Sequence, residues 1–305
     1  MRTFLIFLVL FALAAVISGL ITYPAWLLVN LFAEQPIHRV MERVGMLVLA
    51  IATIMFLRRK QLANKTALGY GIPRRQFLRQ MLWGLAAGVL LMLPLTAALF
   101  ALGLRSVSVE FLNSNAQVTI LCTLLLAGLL SGFAVAFIEE TFCRGAMFST
   151  IERESGLTLA IVLPSLLYAA THFMDRSLHM PSDQVTYATG LQAVLTLFER
   201  FATPLQYVDS FLALTILGVL LALVRLRTGA IAMCIGLHAG GAAVIWVLSG
   251  LSTANPQASL SWLAGSYRGV IGWMACVWFG VVALIYWSMT RDIRDRIVRA
   301  ETPAQ

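Results

Sequence analysis

FIEETFCRGAMF, residues 137–148, sets Glu139, Glu140 and Arg144 inside an apolar run that begins LLLAGLLSGFAVAF. A single charge at mid-bilayer costs at least ~2.5–3.5 kcal/mol on insertion scales. Three ionisable groups within two helical turns therefore need partners or a chemical use. Everything around this stretch decides whether it lies in a membrane at all.

The composition says that it does. The 305 residues are 60% hydrophobic and only 12% charged, with a mean hydropathy of +0.85. That excludes an ordinary soluble domain and fits a polytopic α-helical membrane protein. An outer-membrane barrel would alternate polar and apolar residues in short segments. The expected fold is all-α, a transmembrane bundle of about eight helices forming one membrane domain over residues 1–305. Apolar segments fall at roughly 4–31, 40–57, 80–104, 117–148, 157–174, 207–224, 229–249 and 269–289. The N-terminal apolar stretch is too long for a typical signal-peptide core and reads as the first spanning helix. TALGYGIPRRQFLRQML (66–82) reads as an interfacial segment, and LQAVLTLFERF (191–201) as a short amphipathic helix.

The net charge of +8 is distributed unevenly. Arg58, Arg59, Lys60, Lys65, Arg74, Arg75 and Arg79 crowd one loop, and Arg291, Arg294, Arg296 and Arg299 crowd the C-terminal tail. Such clusters mark cytoplasmic loops beside anionic lipid rather than a nucleic-acid-binding surface. Both termini are expected in the cytoplasm, with the chain in an inner or plasma membrane. The cysteines Cys122, Cys143, Cys234 and Cys276 form no CxxC pair and read as packing residues.

Of the four histidines, His38 and His179 sit in polar surroundings and read as surface groups. His172, in PSLLYAATHF, and His238, in CIGLHAGGAAV, are embedded in helical apolar runs. Together with Glu139, Glu140 and Arg144 they make up nearly all the ionisable residues of the expected spans. Burial alone would drive them to pair, as an inter-helix polar lock. The same proximity can serve chemistry. A spacing of four places Glu140 and Arg144 on one helix face. Glu139 is rotated ~100° away and meets a different neighbour. Adjacent carboxylates with different partners can take different roles. Glu139 could activate water, with His172 and His238 orienting it, stabilising an oxyanion or protonating a leaving amine. Glu139, His172 and His238 are equally plausible zinc ligands. The small residues Gly236, Ala239, Gly240, Gly241, Ala242 and Ala243 serve close helix packing or leave room for an extended peptide.

These elements resemble the CAAX-protease and bacteriocin-processing (CPBP, or Abi) family of intramembrane proteases, the type II CAAX prenyl endopeptidase-like family. Its EExxxR motif matches Glu139, Glu140 and Arg144, followed by Gly145. Its FxxxH motif matches Tyr168 to His172, with Tyr for Phe. Its third motif, a His followed by a polar residue four positions on, matches His238 with Ala242 in the polar place. The resemblance covers about 117–250. It implies an endopeptidase of the glutamate type, without a cofactor, acting on membrane-associated protein or peptide substrates in the lipid bilayer. It gives Glu139 the general-base role, His172 and His238 the water and transition state, and Glu140, Arg144 and Tyr168 supporting roles. The alternatives are a zinc-bound version of the same site and a non-catalytic relative that binds membrane peptides, as in immunity to a bacteriocin.

For Glu139 to meet both histidines, the fourth span must run about 125–148 and the fifth begin near Pro164. The three groups then lie ~12–14 Å from the inner boundary, in a cavity expected to open to the cytoplasm.

Overall fold

The computed structural model describes residues 1–174 and 180–301, with side chains up to residue 289. His179 and Arg176 lie outside the described residues, as do the side chains of the tail arginines. The chain is an all-α bundle with one two-stranded ribbon. Helices α1 (Arg2–Asn30), α2 (Ile37–Arg59) and α3 (Arg74–Ala101) come first. Strand β1 (Arg105–Val107) and a single turn, α4 (Val109–Leu112), lead into α5 (Gln117–Glu140). After a π-helical turn at Thr141–Met147 come α6 (Phe148–Ser155), α7 (Leu157–Thr171), α8 (Tyr187–Thr196), α9 (Val208–Thr228) and α10 (Ala232–Leu251). Strand β2 (Ser252–Ala254), which pairs antiparallel with β1, precedes α11 (Trp273–Glu301).

Among the described residues six helical segments are long and apolar enough to cross a membrane, and α7 and the apolar part of α11 are shorter apolar helices. Together they correspond to the eight segments read from the sequence. Leu5, Val9 and Leu13 on α1, Leu82 and Leu90 on α3, and Leu126 and Leu130 on α5 point outward. Such apolar exposure would be a liability in water and suits lipid.

Three boundaries differ from expectation. Residues 66–82 form no separate interfacial element, because Pro73 starts α3 and the helix runs unbroken from Arg74. The amphipathic helix starts earlier, at Tyr187, where Thr186 and Thr189 form a reciprocal capping box. Helix α7 starts at Leu157, and Pro164 lies within it. The break falls instead at Gly156, whose φ of 84° suits glycine.

That break positions the site. Helix α5 continues through the π turn and α6 to Ser155 before the chain reverses. Glu139 lies sixteen residues before that end, and His172 fifteen residues beyond the start of α7. Each is therefore ~23 Å from the reversal at 1.5 Å per residue, and the two elements bring them to matching depth.

Helix α10 forms the bundle's centre, between α3 and α5. A Cβ on Gly236 or Gly240 would run into the α3 backbone at Met81 or Leu85, and one on Gly84 or Gly88 of α3 would strike α10 at Met233 or Leu237. On its other side Gly132 of α5 lies against the Ala239 carbonyl. Small residues let three backbones approach closely, as membrane helices need in the absence of a hydrophobic drive between them.

Candidate active site

The π turn Thr141–Met147 follows the two glutamates and carries Arg144. One extra residue per turn changes which way side chains leave the helix, and such turns recur at functional sites. Here the turn points Arg144 into the core, where it is among the largest fully buried side chains. Its Nη1 donates to Glu140 Oε1 at 3.2 Å, its Nη2 donates to the Gly218 carbonyl at 2.9 Å, and its guanidinium lies 4.7 Å from the Tyr168 ring centre. The turn is clamped from outside: Arg225 Nε donates to the Arg144 carbonyl, and Gly145 presses on the Leu68 backbone.

Glu140 is fully buried and joins two partners. Besides Arg144, its Oε1 accepts from His238 Nδ1 at 2.8 Å. That bond fixes the imidazole and turns Nε2 towards Glu139 Oε2, 3.9 Å away. This separation is too long for a hydrogen bond and short enough for one water to donate to both acceptors. Glu139 Oε2 is itself buried and makes no hydrogen bond, although 27% of the Glu139 side chain is accessible. The adjacent carboxylates thus have distinct surroundings: Glu140 is locked between Arg144 and His238, and Glu139 keeps an oxygen without a hydrogen bond.

His172 caps the C-terminus of α7. Its Nδ1 donates to the Tyr168 carbonyl at 2.8 Å. Tyr168 stands between the two histidines, its ring centre 4.6 Å from that of His172 and 5.7 Å from that of His238. All six residues singled out in the sequence therefore belong to one connected cluster.

Two cavities meet at this cluster, sharing Val135 and Tyr168 as walls. The first, about 370 Å³, lies between α1, α2 and α8 on one side and α5 and α7 on the other, and is lined by Glu139, Ser18, His38, Glu42 and Thr171 among apolar groups. The second, about 170 Å³, is lined by His172, His238, Ser131, Ala242, Tyr267 and Arg268. The small residues around His238 divide their work: Gly236 and Gly240 face α3, whereas Gly241 and Ala242 line the second cavity.

Several expectations change here. His38 is no loop residue; it is the second residue of α2 and lines the first cavity. Near Ala242, Thr171 supplies no donor to the second cavity: its hydroxyl donates to the Tyr168 carbonyl and it lines the first cavity. Ser131 was not legible as a site residue; its hydroxyl makes no hydrogen bond among the described residues, and it lines the second cavity. The lining of the histidine cavity extends away from the basic loop. It reaches Tyr267 and Arg268, which lie by the β ribbon at the opposite end of the bundle. The basic loop instead packs over the π turn, where Ser149 Oγ donates to the Ala67 carbonyl and Ile231 N to the Gly69 carbonyl.

The donor set does not suit zinc. Among the described residues no three His, Cys, Asp or Glu side chains stand close enough to hold a metal. Glu139, His172 and His238 are thus not gathered as a ligand set; the Nδ1 contacts of the two histidines, to Glu140 and to a carbonyl, are of the kind that metal-bound histidines also make and carry no weight in this.

Fold and cluster together define an integral membrane protein of helical type with a buried Glu–Arg–His centre. Residues 121–244 match the family model described as type II CAAX prenyl endopeptidase Rce1-like. The match covers less than half of the chain, contains every one of the six residues, and bears out the resemblance that the motifs carry. It supports a CAAX-type endopeptidase as the general class of activity. No curated protein and no solved structure matches the chain.

Proposed function

We propose that the protein is an intramembrane endopeptidase that hydrolyses peptide bonds of membrane-associated proteins or peptides with Glu139 as general base. The supporting observation is the chain Arg144–Glu140–His238–Glu139, with successive separations of 3.2, 2.8 and 3.9 Å. A water between Glu139 Oε2 and His238 Nε2 donates one hydrogen to each and turns a lone pair to the scissile carbonyl. Glu139 takes the proton as the carbon–oxygen bond forms, and returns it to the leaving amine as the carbon–nitrogen bond breaks. The Ser131 hydroxyl and the His172 imidazole, which line the second cavity, stabilise the oxyanion. Glu140 and Arg144 act through His238: they hold its ring and neutralise each other in a dry site.

With the basic loop in the cytoplasm, both termini are cytoplasmic and the histidine cavity opens to the opposite side of the membrane. Cleavage-site profiling of membranes carrying wild type or Glu139→Ala, matched for folded protein, tests the reading. New termini present only with wild type are expected; identical profiles would contradict it.

One observation favours a second reading, a non-catalytic binder of membrane peptides. Ala242 brings no donor to the second cavity, and loss of one oxyanion donor costs ~10²–10³ in rate. If Ser131 fills that role, Ala242→Asn changes the rate little. An Asn variant that cleaves where wild type does not would establish the second reading.

A further inference from the structure

The hairpin-like turn at residues 265–272 is held with unusual care for a surface loop. Tyr267 and Ile271 form an isolated antiparallel bridge. From α9, the buried Ser210 hydroxyl donates to the Ile271 carbonyl and accepts from Tyr267 N. From β1, Arg105 is 5% exposed and has no carboxylate partner among the described residues. Its Nη1 donates to the carbonyls of Arg268 and Gly269, while Nε and Nη2 donate to Ser252. A cation buried with only neutral acceptors is costly, so this staple fixes the turn firmly.

What the staple presents is Arg268. Its φ is +55°, a conformation that elsewhere in the described chain is taken by six glycines and one other residue, Gln61. Glycine would adopt that backbone without strain, yet an arginine stands here. Its neighbour Tyr267 packs on the His172 ring at 5.6 Å. Arg268 itself lines the cavity that holds His172 and His238. No carboxylate lines that cavity among the described residues, and no hydrogen bond or ion pair holds the guanidinium. Both carboxylates of the paired cavities, Glu42 and Glu139, lie on the other side of the Tyr168 wall.

We propose that Arg268 is a specificity-determining residue that binds a carboxylate on the part of the substrate lodged in the histidine cavity. A guanidinium matches a carboxylate through two parallel N–H donors. The carboxylate has two possible sources, the free C-terminus of a peptide or an Asp or Glu side chain. The inference deepens the endopeptidase reading and rests on it for the word substrate, but binding can be measured without cleavage.

The test uses full-length Glu139→Ala protein in liposomes, so that bound peptide persists. The probes are lipid-anchored peptides of neutral sequence in three forms: free C-terminus, amidated C-terminus, and amidated with one Glu placed at successive positions. Carboxylate-bearing peptides are expected to bind about tenfold more tightly than the amidated neutral peptide. Adding Arg268→Gly, which relieves the backbone while removing the charge, abolishes that preference, and adding Arg268→Glu transfers it to Lys-bearing peptides. Preference for the free C-terminus alone identifies a terminal carboxylate; preference for one Glu position identifies a side chain. Equal binding of all peptides, no binding, or a preference that survives Arg268→Gly overturns the proposal. Wild-type protein run on the same peptides reports cleavage separately, so carboxylate preference without cleavage contradicts the endopeptidase reading alone.

Discussion

The two cavities on either side of Tyr168 are built for different work. The first is more than twice the volume of the second. It lies between α1, α2 and α8 on one side and α5 and α7 on the other, and its lining is mostly apolar. The second is narrow, lies against α10, and gathers both histidines, Ser131 and Arg268. Glu139 belongs to the first by position and reaches the second through His238. The difference separates an apolar space from a polar one, with the proposed base at the junction. The wall can hold that arrangement because it is dense: Tyr168 is buried, with Arg144 over its ring and both imidazoles at its edge.

The largest effect should come from the junction. Glu139→Gln keeps shape and removes the base, so turnover falls by about 10³–10⁴, while peptide binding changes little. Equal loss of binding would mean that the junction is a binding wall and would dissolve the distinction between the cavities. Next is Arg144→Met, which leaves Glu140 buried beside His238 without its cation. Breaking a buried pair costs about 3–5 kcal/mol, which a denaturation series in detergent reads as a shifted midpoint. Ser131→Ala touches only the narrow side; the rate should fall ~10²-fold with an unchanged KM. Ala134→Phe touches only the wide side. Its ring occupies the first cavity, so KM should rise about tenfold for a bulky apolar substrate while kcat holds. The smallest effect expected is that of a chelator. With no three-donor set in place, treatment should leave the rate within error, and loss with recovery on adding zinc would refute that.

Much of this was legible in the sequence, for identifiable reasons. The eight apolar helices show because apolar runs of near-spanning length are an absolute signal in a chain of this composition. The pairing of Glu140 with Arg144 shows because it is an i,i+4 relation within one element. What failed to show depends on contacts between distant elements. Ser131 is one serine in an apolar run until α10 brings His238 beside it. Arg105 and Arg268 look like ordinary loop cations until the staple joins residues 163 apart in sequence. His38 misled because IHR after a proline resembles a loop, although a proline before the first turn equally begins a helix. The π turn leaves no periodic trace of its own, and Gly156, the actual reversal, was overshadowed by Pro164. The reach of the histidine cavity's lining to Tyr267 and Arg268 could not be read from charge counts, which say where loops lie but not which loop packs over the core.

Single-turnover cleavage in oxygen-18 water by purified full-length protein tests the central claim most directly. Direct attack by a water held between Glu139 and His238 predicts one heavy oxygen in the new C-terminal carboxylate of the product, and no product from Glu139→Gln. A first-turnover product without heavy oxygen, or cleavage by Glu139→Gln at the wild-type rate, would contradict it.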